Sequence, residues 1–234
     1  MTKKIIGILG GMGPQASCEL YRLINTLSIR EYGAQKNDEF PYLRISSLPV
    51  PDLISNQENK EKTIAMAHKE AKALLLSGVT DIVMPCNTMH LYADSIIDCL
   101  DLQFHALPEI VLSEAQNKKY SQVLILGTNT TIKSELYQSI FKKHNISYVE
   151  PDETLVELSV QVIVNTISGI ENPQLKQLFL DEVLSVVNLH KVDSILLACT
   201  ELPIAIQNPI GNLPLLSSLE LAAKHVCNIH FNDI

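Results

Sequence analysis

The stretch "KIIGILGGMGP" (Lys4–Pro14) sets the reading of the whole chain. An isoleucine-rich apolar run of this kind suits a strand buried on both faces. The run stops at Gly10-Gly11, a glycine turn that lets backbone come close to a neighbour. Pro14 fits the first turn of a helix, and "SCELYRLINTLSIREY" (Ser17–Tyr32) carries the apolar spacing of that helix. Much further on, "SQVLILG" (Ser121–Gly127) opens in the same way. A chain that begins the same strand and glycine unit twice reads as two related halves.

The segments between them alternate. In the first half, "YLRISSL" (Tyr42–Leu48), "TDIVMP" (Thr80–Pro85) and "FHAL" (Phe104–Leu107) read as strands. "KEKTIAMAHKEAKALLLSG" (Lys60–Gly78) reads as a helix that ends at a glycine. In the second half, "IKSELYQSIFKKH" (Ile132–His144) reads as one helix and "ISYVE" (Ile146–Glu150) as a strand. Two helices follow, from about Glu153 to Ser168 and from about Pro173 to His190. "VDSILLA" (Val192–Ala198) is another strand, and "LPLLSS" (Leu213–Ser218) opens a last strand–helix pair. This pattern predicts an α/β protein of two pseudo-symmetric lobes, each a four-stranded parallel sheet flanked by helices. Crossovers should be right-handed. The expected division is 1–107 plus 211–234 for the first lobe and 108–210 for the second, with the active site in the cleft between them.

A length of 234 residues is enough for two small lobes with real cores. The formal charge of −8, from 26 acidic and 18 basic residues, argues against nucleic acid or an anionic membrane as the main partner. "MTKKIIGILGG" reads as a first strand rather than an export signal, because its apolar run is short. The five cysteines are Cys18, Cys86, Cys99, Cys199 and Cys227. Their odd number and the lack of C-x-x-C spacing predict reduced thiols in a cytoplasmic setting, with no structural zinc.

In an open parallel sheet, ligands sit beyond the carboxyl ends of the strands. Four segments reach that edge: Gly10–Gly13, Cys86–Thr88, Gly127–Thr131 and Cys199–Glu201. "DIVMPCNTMH" (Asp81–His90) and "SILLACTELP" (Ser194–Pro203) each place a cysteine just past an apolar strand. A lone cysteine there is ordinarily a small core residue, and that reading stands for Cys18, Cys99 and Cys227. Matching placement in both halves points instead to one thiol on each wall of a cleft, addressing opposite faces of one small molecule. A helix start after each cysteine would favour a thiolate. The amides of Asn87, Thr88 and Thr200, with the side chains of Asn87 and Thr88, offer donors for a substrate carboxylate. Glu201 opposes a thiolate at Cys199; it would either hold a substrate ammonium group or keep Cys199 protonated. His90 follows Cys86 at helical spacing, which would suit the Cys–His pair of a hydrolase, but a histidine one turn inside a helix more often caps or packs, and the second half has no equivalent. "GGMGPQA" (Gly10–Ala16) fits a dinucleotide fingerprint, yet the second strand ends in Ser46-Ser47 with no acidic residue for a ribose.

"IGILGGMGP", "MPCNTMH", "LGTNTT" and "ACTEL", in this order, resemble the motifs of the aspartate/glutamate racemase superfamily. The likeness runs over essentially the whole chain and is nearest to the branch of aspartate racemase and broad-specificity amino-acid racemases. It implies an isomerase without cofactor, metal or pyridoxal phosphate, which removes and returns the α-proton of an amino acid. Cys86 and Cys199 would be the catalytic thiols. Met12, Gln57, Asn87, Thr88, Thr200 and Glu201 would contact substrate, and the assembly would be a homodimer. Two positions depart from the members that act on acidic amino acids. Those tend to carry an arginine just after the "P-D" that follows the second strand, where this chain has Leu53. They also tend to carry a lysine shortly after a "D-E", where it has Leu155 and Val156. Loss of both cations predicts a less acidic substrate or a different anchor for its side chain. Two other readings compete. One is a decarboxylase or cis-trans isomerase of the same superfamily; the other is a non-catalytic, two-lobed small-ligand binding protein.

Overall fold

The computed structural model describes residues 4–51, 58–206 and 209–232. The chain forms two compact units, one of Met1–Leu107 with Leu219–Ile234, the other of Pro108–Ser218.

The first unit is built on a parallel sheet of β1 (Ile5–Gly10), β2 (Tyr42–Ser47), β3 (Asp81–Val83) and β4 (Gln103–His105), in the order β2-β1-β3-β4. Its helices are α1 (Pro14–Tyr32), α2 (Lys60–Leu76), the short α3 (Ala93–Ile97) and the returning α10 (Ser218–Phe231). The central strands β1 and β3 are buried, while the edge strand β2 is half-exposed. One apolar core joins Leu9, Ile82 and Met84 of the sheet region to Ala67, Ala71 and Leu74 of α2. Small alanines let α2 lie close to the strands, and burial of this apolar surface is the main stabilising term.

The second unit repeats the plan. Its strands are β5 (Gln122–Leu126), β6 (Ser147–Val149), β7 (Ser194–Leu197) and β8 (Leu215–Ser217), all parallel, in the order β6-β5-β7-β8. The helices are α4 (Leu107–Lys118), α5 (Asn129–Lys133), α6 (Gln138–Lys143), α7 (Glu153–Ile167), α8 (Pro173–His190) and α9 (Leu202–Ala205). Val123 to Leu126 and Ile195 to Leu196 are fully buried, as strands covered by helices on both faces should be. Asp152 and Asn172 cap α7 and α8 by accepting from the backbone N–H of Leu155 and Leu175.

Three expectations change. The chain returns to the first unit at Leu219, not Gly211, because Leu215, Leu216 and Ser217 pair with Ile195, Leu196 and Leu197 of β7. The single helix expected over Ile132–His144 breaks into α5 and α6 where Glu135 turns left-handed at φ 55°. The stretch after Leu107, which the sequence reading assigns to no element, is the helix α4, with Pro108 in its first turn.

Candidate active site

In each sheet the chain steps from its first strand to one side and then crosses back to the other. The reversal falls between β1 and β3 in the first unit and between β5 and β7 in the second. Such a reversal opens a crevice at the carboxyl ends of the strands. The segments after β1 and β3 are the glycine turn and Cys86; those after β5 and β7 are Gly127–Thr131 and Cys199.

Gly11 holds a left-handed backbone at φ 92°, and a Cβ there would collide with the backbone of Leu48. Its N–H donates to Ser17 Oγ at 2.8 Å, and the Leu48 N–H donates to the Gly10 carbonyl at 3.0 Å. These bonds fix the turn that carries the half-buried Met12.

Past β3, the Cys86 N–H donates to the Met84 carbonyl at 2.8 Å, a tight turn that leaves the cysteine half-buried. Asn87, Thr88 and His90 behind it are buried. Thr88–Tyr92 is a 3₁₀ helix leading into α3. His90 Nδ1 lies 2.8 Å from the Cys86 carbonyl, and its Nε2 accepts from the Leu107 N–H at 3.0 Å. Burial drives the imidazole pKa down to about 4, against a smaller opposing effect of the Cys86 carbonyl. Both ring nitrogens are therefore bound to backbone and the ring is neutral. The Cys–His nucleophile pair of a hydrolase is not what this geometry holds.

Past β7, Ala198 is locked by its N–H to the Leu126 carbonyl at 2.7 Å. Cys199, Thr200 and Glu201 are all buried. The Cys199 thiol donates to Glu201 Oε2 at 3.0 Å, and the Thr200 hydroxyl donates to the same oxygen at 3.2 Å. Thr128 caps α5, its Oγ1 accepting from the Thr131 N–H at 3.2 Å. The fully buried Tyr137 has its phenol pKa pushed up by burial and by the nearby Cys199.

The structure thus places Met12, Cys86, Asn87 and Thr88 at one strand edge, and Cys199, Thr200 and Glu201 at the equivalent edge of the other unit. Gln57 and Leu53 lie outside the described residues. Leu155 and Val156 are core residues of α7, so their aliphatic character reflects packing. The helix starts expected to favour thiolates are slight: a 3₁₀ helix follows Cys86, and the single-turn α9 follows Cys199. Tyr137 was not anticipated; a lone tyrosine inside an apparently continuous amphipathic helix carries no signal of a nearby thiol. Among the described residues, no cluster of ligating side chains suits a metal ion, and no helix is long and apolar enough to cross a membrane.

A family model described as Asp/Glu/hydantoin racemase matches residues 9–226. The chain belongs to that family. Membership makes the protein an isomerase of the racemase type. The chain is 27% identical to a broad-specificity amino-acid racemase of Bacillus subtilis (strain 168), over 94% of this chain and 95% of that protein. It is also 27% identical to the aspartate racemase of Picrophilus torridus, with a TM-score of 0.78 over 95% of this chain and 92% of that one. An aspartate racemase homologue from Pyrococcus horikoshii OT3 shares the fold of this racemase-family chain at a TM-score of 0.81, with 24% identity over 98% and 99% of the two chains.

Proposed function

We propose that the protein is an amino-acid racemase that works without a cofactor, moving the α-proton between Cys86 and Cys199. The observation that carries this reading is the Cys199 thiol donating to the buried Glu201 carboxylate. A two-base racemase needs one thiol loaded with a proton while the other takes one. Glu201 supplies the first condition. Cys86, at the equivalent strand end of the sister sheet, supplies the second.

In the forward step the Cys86 thiolate takes the α-proton, forming S–H as C–H breaks. The electron pair passes into the substrate carboxylate, and the carbon then takes the Cys199 proton on its opposite face. One proton enters the substrate and one leaves, so its charge is unchanged. Cys199 is left as a thiolate beside Glu201, an unfavourable pairing of like charges. That repulsion favours return of a proton to Cys199 and makes the thiol its resting form. For the other enantiomer the two cysteines exchange roles. Asn87, Thr88 and Thr200 would grip the substrate carboxylate and hold the charge that develops on it. Met12 and Gln57 would complete the pocket, and Glu201 is kept for Cys199 rather than for a substrate ammonium group. A homodimer is the proposed assembly, checked by sedimentation.

A panel of amino acids in heavy water tests the reading. Racemisation accompanied by α-deuteration of at least one amino acid supports it. Decarboxylation, or binding without exchange, would replace it with the corresponding alternative.

A further inference from the structure

We propose that His90 is the positioning residue for Cys86, fixing the sulfur through the cysteine's own carbonyl. This inference rests on the racemase reading for its consequence in catalysis. Its geometry does not.

The tautomer follows from the bonds. A backbone N–H can only donate, so the Leu107 N–H needs a lone pair on Nε2. The ring proton therefore sits on Nδ1, which donates to the Cys86 carbonyl. One neutral ring thus joins the catalytic turn to the end of β4, where Leu107 starts α4. The ring is buried and packs against Phe104, with centroids 5.4 Å apart. Its depressed pKa keeps the same tautomer throughout the neutral range. Cys86 is held from both sides, its N–H by Met84 and its carbonyl by His90. With both peptide planes fixed, the Cα–Cβ direction is fixed, and so is the arc on which the sulfur lies. Displacing a reacting group by ~1 Å costs about 10²-fold in rate.

His90→Asn and His90→Gln separate positioning from mere filling of space. The asparagine amide overlays Nδ1 and keeps the bond to Cys86. The glutamine amide overlays Nε2 and keeps the bond to Leu107. The two are similar in polarity, so neither leaves a charge in the core. Two readouts are compared per folded molecule: kcat with KM for racemisation, and the rate at which iodoacetamide modifies Cys86. We expect H90Q to lose on the order of 10²-fold in kcat with KM little changed, and to alter Cys86 alkylation clearly. H90N should stay within about tenfold of the native enzyme on both readouts. Overturning the proposal takes H90Q and H90N alike, each matching the native protein per folded molecule whatever their stability. If the native protein exchanges no α-proton at all, the racemase reading fails. The alkylation rates still decide whether His90 places Cys86.

Discussion

The Cys199 thiol and the Glu201 carboxylate, both buried, share a hydrogen bond of 3.0 Å, and the Thr200 hydroxyl donates to the same carboxylate oxygen. In the proposed account, Glu201 is ionised and its charge keeps a proton on sulfur. Replacing Glu201 by glutamine leaves an acceptor without the charge, and the thiol gives up its proton more readily. In Glu201→Gln, iodoacetamide should modify Cys199 roughly tenfold faster at neutral pH, while kcat falls by about 10 to 10²-fold. Unchanged alkylation would mean that Glu201 does not hold the proton.

The glycine turn makes a structural prediction. Gly11 combines a φ of 92° with a Cβ position pressed against Leu48 backbone. Gly11→Ala should lower stability by about 2–4 kcal/mol and abolish activity. Gly33→Ala is the control: φ is 72°, but nothing stands within 4 Å of the added carbon. It should cost only about 1 kcal/mol. Urea midpoints of the two variants make the comparison.

Acid should unfold the protein through its histidines. His90 has a folded pKa of about 4 because burial opposes its charge, against an ordinary value of 6.5. As pH falls from 6.5 towards 4, the unfolded chain binds a proton that the folded chain refuses, so stability drops; above 6.5 the group contributes no slope. His90 alone accounts for roughly 3 kcal/mol across that window. His225, also lowered to about 4 chiefly by burial, adds a smaller amount of the same sign because it is more exposed. Its Nε2 lies 2.8 Å from His105 Nδ1, and His105 Nε2 lies 2.9 Å from buried Asp81. Burial would raise the Asp81 pKa, but hydrogen bonds from His105 and Thr80 and the Lys4 charge outweigh it. Asp81 therefore contributes stability above its ordinary pKa of 3.8 that is lost as pH falls through its lower folded value. Unfolding midpoints should be flat from pH 8 to about 7 and fall steeply between about 6 and 4.

Leu155 and Val156 are accounted for by packing, so the proposal of a less acidic substrate is tested at Leu53. Neutral amino acids should exchange their α-proton faster than aspartate. Leu53→Arg should raise kcat/KM for aspartate relative to a neutral amino acid by about tenfold. Equal or faster aspartate exchange in the native protein would remove this assignment.

Much of this was legible in the sequence, for identifiable reasons. Among the described residues the central strands β1, β3, β5 and β7 are short, largely apolar runs, the trace that parallel strands buried on both faces leave, while the edge strands β2, β4 and β6 are more polar and more exposed. The two cysteines could be matched because each ends such a run. What was not legible depends on partners distant in sequence. β8 joins the second sheet through its register with β7, which moves the boundary to Leu219. Sequence spacing favours a capping or packing role for His90 over a nucleophile's base, but it could not show that the ring spends both nitrogens on backbone groups, one of them seventeen residues away. Helical periodicity passes smoothly through Glu135, so only its left-handed backbone reveals the break that places Tyr137 near Cys199.

The central claim is that two thiols share the proton transfer, and single alanine substitutions test it most directly. Cys86→Ala and Cys199→Ala, each folded as judged by its unfolding midpoint, are given either enantiomer of the best substrate in heavy water. Loss of racemisation by about 10³-fold or more in both variants is the predicted result. Either variant still racemising at close to the native rate would contradict the two-cysteine account.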